Sequence, residues 1–213
     1  MSRYRQMMNN IAKTDNRFGI IMYDSQEQKM ATYGTVVEVV ERNLLTDGRQ
    51  LLMNLGRERF RVLKIVTEKP YLVCQVEVGL KDDVPAEGGE AEETSKSYTA
   101  AATVAVAQAE MEVWNGLQEV VRLSNKVHDP LMRTMNLWRR FLMNLQLPQA
   151  APGPTRSTDF SFCVMEMLDI PPKTKQLMLQ STKTADRLAF QAELLAKAQK
   201  YLAAQASLKD TLG

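Results

Sequence analysis

Apolar and polar positions alternate along much of residues 1–84, and this spacing predicts a β-rich region. A short amphipathic helix is expected at its start, because the apolar positions of residues 4–12 recur at helical intervals. The Asp-Gly pair in TDGR predicts a hairpin turn, and Gly34 indicates a bulge or a close backbone approach. At Gly56 either one strand bends or two strands meet. The expected strands are RFGIIMYD, ATYGTVVEVVERNLL, QLLMNLG with ERFRVLKIV, and EKPYLVCQVEVGL.

From Tyr98 onward the apolar spacing becomes helical, which predicts a helical bundle. Residues 85–97 are acidic and contain proline and paired glycines, which is typical of a linker. The predicted domains are therefore residues 1–84 (β-rich), 85–97 (acidic linker) and 98–213 (helical bundle). Thr184 is the expected N-cap of the last helix. Three buried faces are expected: Met111, Trp114, Leu117, Val121 and Ser124; Leu131, Met135, Trp138, Leu142 and Leu145; and Leu188, Leu195 and Leu202, flanked by Ala192, Ala198 and Tyr201.

The composition is that of a soluble globular protein, with 213 residues of which 45% are apolar and 24% charged. A net charge of +2 argues against a domain that holds nucleic acid by electrostatics. Cys74 and Cys163 are the two cysteines, and both lie in apolar runs, so we expect buried free thiols and a reducing compartment. No stretch approaches the roughly 20 apolar residues of a membrane span.

Sequence motifs for catalysis are missing from the chain. The single histidine, His128, cannot build a histidine metal site, and we expect it to face solvent or cap a helix. No Gly-Lys dipeptide occurs, so a phosphate-binding P-loop is excluded. Serine–lysine pairs such as Ser181 and Lys183 lie in polar segments without a glycine-rich oxyanion loop. We therefore predict a protein that is not an enzyme, with no catalytic residue, cofactor or metal.

Several segments, in this order, resemble the substrate-binding N-terminal domain of Lon proteases. They are RYRQMM, RFGIIMYD, GTVVEVVE, DGRQLLMNLGRERFRVLKI and KPYLVCQVEV, followed in the helical region by FSFCVMEMLDIPPKTKQLMLQSTKTADRLAFQAELL. The resemblance runs from about Arg3 to Leu202 and is closest to the stand-alone bacterial and plastid forms. The combined order of the segments is specific, whereas each segment alone is a weak signal.

This resemblance implies an α+β fold with a PUA-like β barrel followed by a helical bundle. It also implies recognition of polypeptides or of a protein partner, as an adaptor or scaffold in proteolysis and protein quality control. The family's ATPase and peptidase domains have no counterpart here. Family members usually begin with further strands before an F-E-P-R-Y stretch, whereas this sequence starts within it, so we expect a barrel without its first strands. The expected location is the cytoplasm, or the plastid stroma if a transit peptide has been removed.

The segment NLGRERFRVLKI supplies the candidate contact residues. Strand alternation places Arg57, Arg59 and Arg61 on one side, and we predict these arginines, with Tyr71 on the last strand, as contacts for a partner. A solvated strand face is the simpler interpretation of the arginines. Because PUA-like barrels include RNA binders, an RNA-binding module that uses the same three arginines is the alternative function.

Overall fold

The computed structural model describes residues 3–83, 92–127 and 154–212, and in residues 92–102, 154, 155 and 212 it describes the backbone alone. The predicted α+β fold is confirmed in these ranges. The segment DPLMRTMNLWRRFLMNLQL, which predicts a helix with Pro130 at its first position, and the single histidine lie outside them. The elements, in chain order, are α1 (Arg3–Ile11), β1 (Arg17–Asp24), β2 (Lys29–Leu44), β3 (Gln50–Thr67), β4 (Val73–Val78), α2 (Glu92–Val127), α3 (Pro154–Met167), α4 (Pro172–Gln180) and α5 (Thr184–Leu212).

The chain divides into two compact units. Unit 1 comprises residues Met1–Lys81 and Pro172–Gln180, and unit 2 comprises Asp82–Pro171 and Ser181–Gly213. Unit 1 thus contains the sheet, α1 and α4, while unit 2 contains α2, α3 and α5. The segment PPKTKQLMLQS predicts a short helix opened by prolines, which α4 confirms, but its periodicity does not indicate that α4 belongs with the sheet.

The sheet of unit 1 is antiparallel, with strand order β1-β2-β3-β4. It is not closed into a barrel, because closure requires the two edge strands to be hydrogen-bonded and β1 and β4 each pair with one neighbour in the part of the chain that the structure describes. The predicted Asp-Gly turn is confirmed. Gly48 there has φ of 80°, and its N–H donates to the Leu45 carbonyl at 2.9 Å.

β3 is one continuous strand that contains a bulge beside Gly56. Thr35 pairs with Arg59 and Val37 with Gly56, so two residues of β3 lie opposite one residue of β2. Such a bulge interrupts the alternation of side chains along a strand. The prediction that Arg57, Arg59 and Arg61 lie on one side of the strand assumed that side chains alternate without interruption. The bulge interrupts that alternation between Gly56 and Arg59.

Phe60 is the most buried apolar residue of the sheet, with 4% of its surface exposed. Its ring lies against Gly19 and Gly34, and a Cβ at Gly34 would contact the Ile20 carbonyl oxygen and approach Phe60 Cζ to 2.5 Å. Gly34 is therefore a close approach, one of the two alternatives that the sequence predicts.

The core of unit 2 is formed by α2, α3 and α5. The predicted stripe Leu188, Leu195 and Leu202 is buried, as expected for α5. The helices α2 and α5 pack tightly at Gly116, where a Cβ would lie 3.2 Å from Leu195 Cβ. The other core residues are Val113, Leu117, Val120, Leu123, Phe160 and Val164.

Some predicted helix faces and ends are wrong in detail. Met111 is 53% exposed and Tyr201 is 63% exposed, because the buried face of α2 runs through Val113 and Val120 and that of α5 leaves Tyr201 outside. α2 begins at Glu92, earlier than the predicted Tyr98. α3 begins at Pro154, a residue that the first helical turn tolerates because its missing N–H has no partner there anyway.

Thr184 occupies the first helical position of α5 instead of the N-cap, since the Lys183 carbonyl accepts the first helical hydrogen bond from Arg187 at 3.3 Å. The Thr184 N–H donates to Asp83 Oδ1 at 2.9 Å. The cap of α5 is thus a carboxylate from the distant end of the β-rich region, which the local sequence does not reveal.

Candidate functional site

A cleft of about 1040 Å³ lies between α1 and the sheet within unit 1. It contains side chains from α1, from β1, from the hairpin turn and from the segment before β4. Most of them are apolar or aromatic, and three arginines and one glutamate are the charged members. The lining residues are Arg3, Tyr4, Arg5, Met7, Met8, Phe18, Gly19, Ile20, Ile21, Tyr23, Gly48, Arg49, Gln50, Leu52, Glu68, Tyr71 and Leu72.

Polar contacts hold α1 against the sheet and so form one wall of the cleft. Arg42 of β2 donates to the Asn9 side-chain oxygen at 2.6 Å and to the Met8 carbonyl at 3.4 Å. Asn10 donates to the Tyr71 hydroxyl at 2.9 Å. These contacts lie at the C-terminal half of α1, so the apolar face formed by Tyr4, Met7 and Met8 stays directed to the cleft.

Four large apolar or aromatic side chains of the cleft are exposed. Tyr4, Ile20 and Tyr23 are 58%, 52% and 61% exposed, and Leu72 is 39% exposed. Single exposed apolar residues are common on proteins, but a contiguous group around a concavity marks a binding surface. The arrangement suits a partner that brings its own apolar side chains.

Positive charge surrounds part of the cleft. The Arg3 guanidinium lies 5.0 Å from the centroid of the Tyr4 ring, and Arg5 lies beside the hairpin turn at Gly48. Arg49 is bound to Asp47 at 2.6 Å, and hydrogen bonds from the Arg49 backbone and side chain hold the pKa of Asp47 below its ordinary value. Within the ranges that the structure describes, Arg3 and Arg5 have no carboxylate at salt-bridge distance.

A second cavity of about 260 Å³ lies on the sheet beside Phe60. Residues from both edge strands line it, including Gly19 and Ile21 of β1 and Cys74 and Val76 of β4. The curvature of the sheet therefore brings β1 and β4 to one cavity although they do not pair.

The three predicted arginine contacts have partners on the sheet and on α4. Arg57 pairs with Glu38 at 2.8 Å, and Arg61 pairs with Glu77 at 2.7 Å. Arg59 donates to the Leu179 carbonyl of α4 at 2.8 Å. These three side chains are therefore engaged within unit 1 and do not meet in one cluster.

Tyr71 is the predicted contact that lines the cleft. The structure does not place it with Arg57, Arg59 or Arg61. The other cleft residues were missed by sequence reasoning, although the amphipathic spacing of α1 and the apolar run RFGIIMYD were available as signals. What the sequence could not reveal is that these two segments line one cleft.

Both cysteines are free thiols, as predicted, and each is partly buried. Burial raises the pKa of Cys74 and of Cys163. The negative charges of nearby Asp159 and Glu166 raise the pKa of Cys163 further. A thiol with a raised pKa is protonated at neutral pH and is a poor nucleophile. Across the described ranges there is no group of three or more potential metal ligands. None of the described helices is long and apolar enough to cross a membrane.

The fold is similar to that of a solved Lon N-terminal domain protein. A crystal structure of a Lon N-terminal domain protein from Xanthomonas campestris superposes with a TM-score of 0.51 at 18% identity, covering 92% of this chain and 84% of that chain. The N-terminal domain of a Mycobacterium avium complex Lon protease gives a TM-score of 0.46 at 12% identity, covering 84% of this chain and 77% of that chain. Because the identity to the Xanthomonas campestris protein is only 18%, that similarity shows a shared fold and nothing about function.

The family comparison covers most of the chain. Residues 1–197 match the model of the ATP-dependent protease La (LON) substrate-binding domain. The fold similarity to the Xanthomonas campestris domain protein agrees with that match. The chain therefore belongs to the Lon substrate-binding domain family.

Proposed function

We propose that this protein is a non-enzymatic polypeptide-binding module that holds apolar segments of unfolded or partner polypeptides in the cleft between α1 and β1. The observation that carries the proposal is the exposed apolar lining of that cleft. Membership of a substrate-binding domain family supports a binding role of this kind.

The energetics of burial favour such a ligand. Fully burying an exposed apolar side chain contributes on the order of 1.5–3 kcal/mol, so covering one of these half-exposed side chains contributes about half of that, and each 1.4 kcal/mol is a tenfold change in affinity. A segment that covers three or four cleft side chains would therefore bind measurably, after the cost of ordering the segment.

The cellular role that we propose is that of an adaptor or scaffold in protein quality control, which delivers or retains polypeptides for an ATP-dependent protease or chaperone. The family match covers a substrate-binding domain and supplies no peptidase or ATPase segment within these residues. Affinity purification from the source organism, followed by mass spectrometry, tests this role. Recovery of protease or chaperone subunits supports it, whereas recovery of RNA and ribosomal proteins alone would contradict it.

The binding function is tested with a permanently unfolded protein, reduced and carboxymethylated α-lactalbumin, labelled for fluorescence anisotropy. Ile20→Ser should weaken binding by about tenfold, because it removes one apolar wall residue of the cleft. Leu63→Ser is the matched control, since Leu63 is also a strand residue and is also 52% exposed but lies outside the cleft. Equal losses in the two variants, or no binding by the unmodified chain, would refute the assignment.

The RNA-binding alternative is distinguished in the same assay format. Phosphate contacts by Arg57 and Arg61 would give RNA binding that falls steeply with salt and weakens in Arg57→Ala and Arg61→Ala. The ion pairs of these arginines with Glu38 and Glu77 and the net charge of +2 favour the polypeptide function over this alternative. RNA binding that is tighter than polypeptide binding at physiological salt would reverse that preference.

A further inference from the structure

We infer that the cleft takes its polypeptide as an extended strand that pairs with the outer edge of β1, with an acidic residue of the ligand placed near Arg3 and Arg5. This inference rests on the proposed function and specifies the conformation and charge of the bound segment.

The first observation is the unpaired edge. β1 pairs with β2 on one side, and in the described part of the chain its backbone makes no hydrogen bond to another strand on the other side. A strand edge of this kind offers a row of N–H and C=O groups to an added strand.

The second observation is the sequence of that edge. Natural edge strands are usually protected by lysines, prolines or inward-pointing charges. Between Arg17 and Asp24, β1 carries only FGIIMY, without a charge or a proline. The other edge, β4, contains Gln75 and Glu77 and is more polar. β1 is thus the more receptive of the two edges.

The third observation is that the edge and the cleft are continuous. Phe18, Gly19, Ile20, Ile21 and Tyr23 of β1 all line the cleft. An added strand would therefore satisfy its backbone on β1 and place alternate side chains into the apolar cleft. The register shift between Ile21 and Tyr23 limits the regular part of the edge to the first half of β1, enough for a segment of about five residues.

Charge complementarity defines the rest of the ligand. The cleft lining contains Arg3, Arg5 and Arg49 against a single carboxylate, Glu68. Arg49 is bound to Asp47, and Arg5 also attracts that carboxylate from a longer distance, so Arg3 and Arg5 are the cleft cations without a salt bridge in the described residues. An aspartate or glutamate in the ligand would provide the opposite charge.

The backbone pairing is tested with synthetic peptides that carry isoleucine, phenylalanine and tyrosine at alternate positions and a glutamate at one end. In an added strand, alternate residues direct both their N–H and their C=O groups to the same neighbour. N-methylation of one alternate set of amides should therefore abolish binding, and methylation of the other set should change the affinity by less than about threefold. Side chains are identical in the two peptides, so each is the control for the other.

The charge is tested with Arg5→Gln and with a peptide in which the glutamate is replaced by glutamine. We expect Arg5→Gln to weaken binding of the glutamate peptide by about threefold to tenfold at low salt and to leave the glutamine peptide nearly unchanged. Lys64→Gln removes the same charge from unit 1 at a position outside the cleft and should have no such effect.

The outcomes separate this inference from the proposed function. Binding that depends on Ile20 but is equally sensitive, or equally insensitive, to both methylation patterns would overturn strand addition and leave the polypeptide function standing. No binding of the unmodified peptides or of unfolded α-lactalbumin would overturn both. Sedimentation could instead show a stable dimer that does not bind peptide. In that case a second copy of the chain occupies the edge of β1, and the inference is overturned.

Discussion

Two glycines provide the space for the core of unit 1. The Phe60 ring lies against Gly19 and Gly34, at the place where β1, β2 and β3 are adjacent in the sheet. Any side chain at Gly34 would collide with the backbone of β1 as well as with this ring. The position therefore requires glycine because of a neighbouring strand, and not because of its own backbone conformation.

Gly34→Ala should destabilise unit 1 by about 1–3 kcal/mol, since the added methyl group overpacks a site where a backbone oxygen cannot move aside cheaply. Urea unfolding followed by amide exchange of β2 and β3 measures this effect. Gly56→Ala is the matched control in the same sheet, because its Cβ would meet only Thr35 Cγ2 at 3.9 Å. The control should stay within about 1 kcal/mol of the unmodified chain. A larger loss for Gly56→Ala than for Gly34→Ala would contradict this account of the core.

At the scale of elements, α4 is fastened to the sheet of unit 1 by polar contacts. Lys173 contacts Asp24 at 2.6 Å and Glu27 at 3.2 Å, and Gln176 donates to the Tyr33 carbonyl at 3.1 Å. Arg59 contributes the hydrogen bond to the Leu179 carbonyl described above. A helix of nine residues is too short to be stable alone, so these contacts and its packing maintain it.

The Lys173 contacts predict that their contribution to the stability of unit 1 is lost both at low pH and at high pH. The hydrogen bond from Lys173 holds the pKa of Asp24 below its ordinary value of 3.8, so its stabilising contribution is present above that value and is lost as the pH falls through the lowered pKa. The Asp24 and Glu27 carboxylates raise the pKa of Lys173 above its ordinary value of 10.5, so the contribution is lost again as the pH rises through the raised pKa.

We therefore expect Lys173→Met to lower the thermal midpoint of unit 1 near neutral pH. At both extremes of pH the thermal midpoints of the variant and of the unmodified chain should become similar. Amide exchange of the β1–β2 hairpin across a pH and temperature series measures the difference. Lys13→Met, which changes another exposed lysine of unit 1, should give a difference that is small at every pH. A Lys173→Met effect that is constant down to about pH 2 would show that Asp24 does not contribute.

At the scale of the whole molecule, each unit has a core of its own. The core of unit 2 is supported by Arg187, which is fully buried and donates to Ser161 Oγ, to the Ser181 carbonyl and to Asp82 at 2.9 Å. Its guanidinium also lies 4.3 Å from the centroid of the Phe162 ring. Removing this cation would break the buried ion pair between Arg187 and Asp82.

Arg187→Met should destabilise unit 2 by about 3–5 kcal/mol. Trp114 packs against the core of unit 2, so its fluorescence during urea unfolding reports on that unit, in a Trp138→Phe background that removes the other tryptophan. Gly34→Ala, which alters the core of unit 1, should shift this signal much less. A Trp114 midpoint that is unchanged by Arg187→Met would contradict the role of Arg187.

The sequence by itself determined the local elements and the family. The apolar run RFGIIMYD, the Asp-Gly turn, the prolines that open α4 and the leucine stripe of α5 each depend on neighbours within a few residues, and each is confirmed in the structure. Periodicity was less accurate for α2, because many of its positions are small or weakly apolar: Leu117 and Ser124 are buried as predicted, but Met111 is exposed, and Val113 and Val120 are buried although the prediction omitted them.

Tertiary structure alone decided which distant segments come together. The bulge beside Gly56, the cap that Asp83 provides for α5, the inclusion of α4 in unit 1 and the cleft formed by α1 and β1 all depend on contacts between residues far apart in the chain. The arginines of GRERFR illustrate the difference. Their spacing suggested one contact surface, whereas in the structure each arginine contacts a different partner, namely Glu38, Glu77 or the Leu179 carbonyl. Local spacing reflects the preferences of one segment, whereas the partners of a side chain are set by the packing of all segments together.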